Sequence, residues 1–175
     1  MSSAMPSRPV ISAAQIGQFL DAAREIIAEV PICWLVTRSL EGGTSARAVK
    51  ASPALPGSDE WSRRMLVRRS SRKVTEIRAV PLITLAFQHP SGERWVALGG
   101  RVRIVDDLAQ VRSLWPQDRD GFFPPGFADA HMTVLETEAD RIEIHVRGLT
   151  PEPFGAGRTL LERQPDGAWR FIPAW

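Results

Sequence analysis

Apolar residues recur at helical spacing from Ile16 through Phe19, Leu20, Ala23, Ile26 and Ile27 to Val30, and Pro31 ends the pattern. Ser12 followed three residues later by Gln15 reads as a capping box, so the spacing predicts an amphipathic first helix. Beyond Pro31 the period becomes two. ICWLVTRS at 32–39 and TSARAVKAS at 44–52, joined through Gly42-Gly43, predict a β-hairpin. A polar loop from Pro53 to Ser62 leads to a strand, RMLVRR at 64–69. That strand runs into SSRKVTEIRAV, where Val74, Ile77 and Val80 mark a short helix ended by Pro81.

LITLAFQ at 82–88 and RWVALGGRVRIV at 94–105 read as a second hairpin about a turn at His89 to Gly92. Asp106 or Asp107 can cap a helix carrying Leu108, Val111, Leu114 and Trp115, and PQDRDGFFPPGFADA after it reads as irregular. MTVLETE and DRIEIHV predict two further strands, and TLLERQ with AWRFIP a last hairpin about Pro165-Asp166-Gly167. The count is about eight strands and three helices. Strands joined mostly by short turns favour an antiparallel sheet closed into a barrel over an alternating parallel arrangement.

The 175 residues suit one domain, residues 1–10 are expected to be flexible, and 146–175 read as a C-terminal extension with a hairpin. A hydrophobic fraction of 43% with 24% charged residues is that of an ordinary globular protein. No apolar run is long enough to span a bilayer and MSSAMPSRPV lacks a signal-peptide core, so no membrane association and a cytoplasmic location are expected. The pI near 9.3 sits beside a net charge of only +2. With no Tyr, one Cys and only Lys50 and Lys73 as lysines, little titrates between neutral pH and the pI, so the pI says little about nucleic acid. The remaining cations are Arg, whose planar fork suits phosphate, and several crowd into 63–73. Cys33, inside an apolar run, reads as a buried and inert thiol.

Arg68, Arg69, Arg72 and Lys73 surround Ser70 and Ser71 where a strand gives way to a helix. A helix N-terminus is already partly positive, so cations in its first turn cost about 0.3 to 1 kcal/mol each unless an anion is present. Phosphate there would accept from the free N–H groups, the Ser70 and Ser71 hydroxyls, Arg72 and Lys73. The other reading has Ser70 capping the helix and the cations extended into water. Arg47 shares a strand face with Val49 and Ala51, opposite Ala48, Lys50 and Ser52, and by itself reads as a solvated charge sooner than as a ligand. Gly99-Gly100 suggests a bulge or a close backbone approach, or a simple bend.

Other chemistries find no support. His89, His131 and His145 have no metal-ligand spacing, the GAG at 155–157 lacks a preceding strand and a third glycine, and no GxSxG or Walker A motif is present. Asp106-Asp107 and Asp118 with Asp120 read as caps and loop solvation.

The ordered set of the leading helix, Arg47-x-Val49, MLVRRSSRKVTEIRAVPLITLAF, WVALGGRVRIVDD and FPPGFADAHMTVLETEADRIEI resembles the pyridoxamine 5'-phosphate oxidase-like FMN-binding split-barrel family, general stress protein branch, over about Ile11 to His145. The resemblance implies a mainly β fold with flanking helices, an antiparallel six-stranded split β-barrel, and a homodimer with flavin at the interface, which would give exposed apolar aromatics a use. It implies FMN, with FAD as the alternative, held by Arg47, Ala48, Val49 and Lys50 along the phosphate and ring edge, Leu66 and Val67 under the ring, and Ser71, Arg72 and Lys73 at the phosphate. Trp95 joins the cofactor-binding set at a position where the oxidase usually has Gln. Ile144-His145 and the AWRFIPAW end differ from the oxidase, so no catalytic residue is carried over.

Three functions follow in order: an FMN-dependent oxidoreductase of unnamed substrate, a non-catalytic flavin-binding stress protein, and a nucleic-acid binder using the Arg cluster with Trp61 or Trp95 stacked on bases.

Overall fold

The computed structural model describes residues 11–117, 121–151 and 158–173. Residues 1–10, Asp118, Asp120 and the GAG at 155–157 lie outside them. Helix α1 (Ala13–Glu29) opens on the predicted capping box: Ser12 accepts from the Gln15 N–H and the Gln15 side chain accepts from the Ser12 N–H. The strands that follow are β1 (Ile32–Arg38), β2 (Thr44–Lys50), β3 (Ser52–Pro53), β4 (Arg63–Arg68), β5 (Leu82–Gln88), β6 (Arg94–Val105), β7 (Met132–Val146), β8 (Thr159–Arg163) and β9 (Trp169–Ile172). Helix α2 (Arg72–Ala79) lies between β4 and β5, and α3 (Leu108–Leu114) and α4 (Phe127–His131) between β6 and β7. The turn joining β1 to β2 needs positive φ at two successive positions, 90° at Gly42 and 75° at Gly43, which glycine adopts without steric cost.

All strands pair antiparallel in the order β2-β1-β5-β6-β7-β4-β3, with β8 paired to β7 and β9 to β8. The two ends of this path, β2 and β3, are neighbours in the chain and only Ala51 separates them. One bent stretch therefore supplies both edges. Six barrel strands result when β2 and β3 are taken as one, and no ladder joins β2 to β4, so the sheet stays split there. Leu35, Leu85, Val96, Leu98, Leu135, Ile142 and Ile144 fill the interior, and Phe19, Ala23 and Ile26 of α1 complete the same core.

Two expectations are corrected. MTVLETE and DRIEIHV form one strand, β7, rather than two. Its partners jump from Gly99↔Arg141 to Gly100↔Ala139, so Asp140 is the extra residue of a bulge, and that break in alternation is what divides the pattern in the sequence. The stretch expected to be irregular contains α4, whose N-cap, Gly126, has φ 77° and which follows Pro124-Pro125. Strong turn residues conceal so short a helix.

Candidate functional site

A cavity of about 340 Å³ lies in the split between β2 and β4. Arg47, Ala48, Val49 and Lys50 of β2 form one wall with Ser52, and Leu66, Val67 and Arg68 of β4 the other. Lys73 enters from the first turn of α2, and Leu114, Pro116 and Met132 close the far side. Four of these residues are cations and none is acidic.

The α2 N-terminus differs in detail from either sequence reading. Ser71, not Ser70, is the N-cap, and its side chain makes no capping bond. The Ser71 hydroxyl is buried with no hydrogen-bond partner among the described residues. A buried hydroxyl left in this way costs about 1 to 3 kcal/mol, which a bound acceptor or donor would recover. Lys73 makes no ion pair among the described residues. Burial and the neighbouring Arg47 guanidinium lower its pKa, while Glu76 raises it. An anion would favour the charged ammonium.

Arg72 is not at the cavity. Its guanidinium turns to Glu76 (Nε to Oε1, 2.9 Å) and to Glu41 and Ser39 (Nη2, 3.0 and 3.1 Å), so the cost of this cation at a helix N-terminus is met by protein carboxylates. Trp95 is also elsewhere: it lies on β6, paired with His145 on β7, their rings 6.4 Å apart. The remaining expected residues, Arg47 to Lys50, Leu66, Val67 and Lys73, share the cavity, with Ser71 immediately before Lys73's turn.

Sequence reasoning overlooked the network behind Arg47. Glu76, wholly buried, accepts from Thr37 Oγ1 at 2.6 Å, Ser45 Oγ at 2.9 Å and Arg47 Nη2 at 2.6 Å, besides Arg72. Burial pushes the Glu76 carboxyl up, but the bonds from Thr37, Arg47 and Ser45 outweigh it and bring the pKa from 4.5 down to about 2. Two signals pointed here: the i, i+4 spacing of Arg72 and Glu76, and a polar Thr37 continuing the inward row of Cys33 and Leu35. Arg68 and the residues closing the cavity from α3 and β7 also went unassigned, because only folding brings them beside β2.

A second cavity, of about 460 Å³, lies beside α3 and α4, walled by Trp115, Phe123 and Phe127. Its charges are paired, Arg112 holding Asp129 through Nε and Nη2 at 3.1 and 2.5 Å, so it offers little to a phosphate. Trp61 is 2% exposed and packs edge-on against Trp169, which removes it as a platform for bases. Burial raises the Cys33 thiol to about 12, well away from reactivity at neutral pH. No helix among the described residues is long and apolar enough to cross a membrane.

No curated protein matches the sequence. Among solved structures, a protein related to general stress protein 26 (pyridoxinephosphate oxidase family) from Clostridium acetobutylicum superposes with TM-score 0.62 at 21% identity, over 74% of this chain and 89% of that one. A pyridoxamine 5'-phosphate oxidase-related, FMN binding protein from Nostoc punctiforme gives TM-score 0.56 at 13% identity, over 95% and 100%. PhzG from Burkholderia lata, in complex with tetrahydrophenazine-1-carboxylic acid, gives 0.60 at 13% identity, over 96% and 98%. At these identities the likeness establishes the fold. The model of the family described as "Pyridoxamine 5'-phosphate oxidase like" matches residues 19–146, the barrel strands β1 to β7 with part of α1, and the chain belongs to that family.

Proposed function

We propose that this chain binds FMN, with the phosphate in the cavity between β2 and β4, and acts as a flavin-dependent oxidoreductase. The observation that carries the reading is a cavity walled, among the described residues, by Arg47, Lys50, Arg68 and Lys73 and by no carboxylate, beside a Ser71 hydroxyl that has no partner among them. Lys73 and Arg47 suit the phosphate as charged donors, the first N–H groups of α2 add to them, and Ser71 gains a partner. Leu66, Val67, Ala48 and Val49 supply the apolar surface that a flat ring system needs. Bound flavin would supply hydride or electron transfer, and the protein binding and orientation. Among the described residues the cavity walls include no histidine, cysteine or carboxylate, which fits chemistry carried by the cofactor. The neighbour from Nostoc, described as FMN binding, supports the same assignment.

The homodimer belongs to this reading. Ile32, Trp34 and Leu82, about half exposed at 53%, 52% and 51%, lie on the outer face of adjacent strands β1 and β5. Trp34 is paired in register with Ala48, a cavity residue, so a second copy covering Trp34 would also border the flavin.

The test is a visible-spectrum titration of the purified protein with FMN. Submicromolar binding and a perturbed flavin band are expected, weakened about tenfold or more by Lys73→Ala through loss of one charged hydrogen bond. A protein that takes up no flavin refutes the assignment. Reduction of the bound flavin by NADH or NADPH in a stopped-flow trace separates an oxidoreductase from a flavin-binding stress protein that does not turn over.

A further inference from the structure

The guanidinium of Arg47 is held from two elements, β1 and α2, before any ligand arrives. Its Nη2 donates to Glu76 Oε2 on α2 at 2.6 Å, and its Nη1 donates to Thr37 Oγ1 on β1. Thr37 in turn donates its single hydroxyl proton to the same Glu76 oxygen at 2.6 Å, which fixes the direction of every bond in the triangle. The other carboxylate oxygen accepts from Ser45 and Arg72, both at 2.9 Å. All four acceptor positions of Glu76 are thus filled and its side chain is 0% exposed, so the carboxylate has no freedom to follow a moving partner. Arg47 itself is 22% exposed and forms part of the cavity wall.

Such a buried acid is otherwise puzzling next to a site built for an anion, since its charge opposes phosphate. Its effect on geometry resolves the point. A free arginine on a strand must surrender most of its rotamer freedom when it binds a ligand, whereas one clamped in advance does not. The same carboxylate draws Arg72 away from the cavity toward Glu41, so it sorts the two arginines, one to the cavity wall and one to the surface.

We propose that Glu76 and Thr37 are positioning residues that preset Arg47 for the flavin phosphate. The inference rests on the FMN reading above, and its variants keep the charge of the site unchanged: Glu76→Asp withdraws the carboxylate by one methylene, and Thr37→Val removes only the hydroxyl. The experiment is a fluorescence titration of wild type and both variants with FMN and with riboflavin, which lacks the phosphate, alongside thermal unfolding. We expect wild type to prefer FMN over riboflavin at least tenfold, and each folded variant to lose most of that preference while its riboflavin affinity stays within about twofold. Should Glu76→Asp fail to fold, Thr37→Val carries the test alone. Variants that keep the wild-type preference, or weaken both ligands equally as a general structural defect would, overturn the positioning role and leave FMN binding standing. A wild type that binds neither ligand, or both alike, overturns the phosphate site itself and the inference with it.

Discussion

Arg47 and Glu76 stand 29 residues apart in sequence and meet at 2.6 Å, the carboxylate wholly buried and the guanidinium only partly so. Removing one member of a buried pair strands the other's charge, at a cost of about 3 to 5 kcal/mol, whereas an exposed pair contributes about 0 to 1 kcal/mol. Arg72 meets the same carboxylate but is 61% exposed. Arg47→Met is therefore expected to lower unfolding free energy by about 3 kcal/mol, the lower end because Arg72 remains, and Arg72→Met by less than about 1 kcal/mol. Urea denaturation measures both, and equal losses would contradict the asymmetry.

The same carboxylate sets a pH dependence. Its pKa falls from 4.5 to about 2 on folding, against the burial that would raise it, because Thr37, Arg47 and Ser45 all donate to it. A depressed folded pKa gives stability that is fully present above pH 4.5 and lost as pH falls from there toward about 2. The difference in unfolding free energy between wild type and Glu76→Gln should be constant above that window and shrink steadily within it. A difference that does not change down to pH 2.5 would show that Glu76 does not hold its proton affinity so low.

Much of the fold is legible along the chain because its signals are local. The Ser12–Gln15 box, the Gly42-Gly43 turn and the period-two strands each depend on neighbours a few residues apart. The cavity is legible in part for the same reason, since Arg47 to Lys50 lie on one strand and Ser71 to Lys73 on one helix turn. What is not legible is choice among equivalent side chains. Arg72 and Lys73 are adjacent and alike in charge, and only the positions of Glu76 and Glu41 in space decide that Arg72 turns outward. Trp95 is separated from the cavity by sheet order, β6 lying three strands from β2, which no local pattern encodes.

Gly100 is required by a backbone rather than by its own dihedrals. A Cβ there would stand 2.0 Å from the Glu138 carbonyl oxygen and 2.9 Å from Ala139 Cα, at the bulge that lets β7 bend. Neither atom can move without breaking the longest strand pair in the barrel. At Gly99 the nearest atom would be Arg141 Cβ at 3.5 Å, an ordinary contact. Gly100→Ala is expected to cost at least about 2 kcal/mol, or roughly 4 to 8 °C in Tm, with Gly99→Ala within about 0.5 kcal/mol of wild type. Differential scanning calorimetry decides it, and a Gly100→Ala protein as stable as Gly99→Ala would mean the bulge relaxes freely.

The outer face of β1 and β5 makes the last prediction. Ile32 and Trp34 expose apolar surface at one end of β1, and Leu82 does so at the other end of the pair, beside the Ile83–Thr37 register, on strands whose other face is fully packed; apolar surface of this kind is expected at an interface. Trp34 lies between Ala48 on β2 and Ala86 on β5, so small residues frame one large ring, the arrangement of an anchor rather than of a scattered exposed residue. Trp34→Asp would place a charge at that centre without disturbing the core, because Cys33 and Leu35, not Trp34, point inward. Sedimentation equilibrium at micromolar concentration should find a dimer for wild type and a folded monomer for Trp34→Asp, a weakening of about a hundredfold or more from loss of a central aromatic anchor. FMN affinity should fall in the same variant, since Ala48 borders both the ring and the cavity. A wild type that sediments as a monomer would remove the dimer from the proposal, and a monomeric variant with undiminished FMN affinity would place the flavin wholly within one chain.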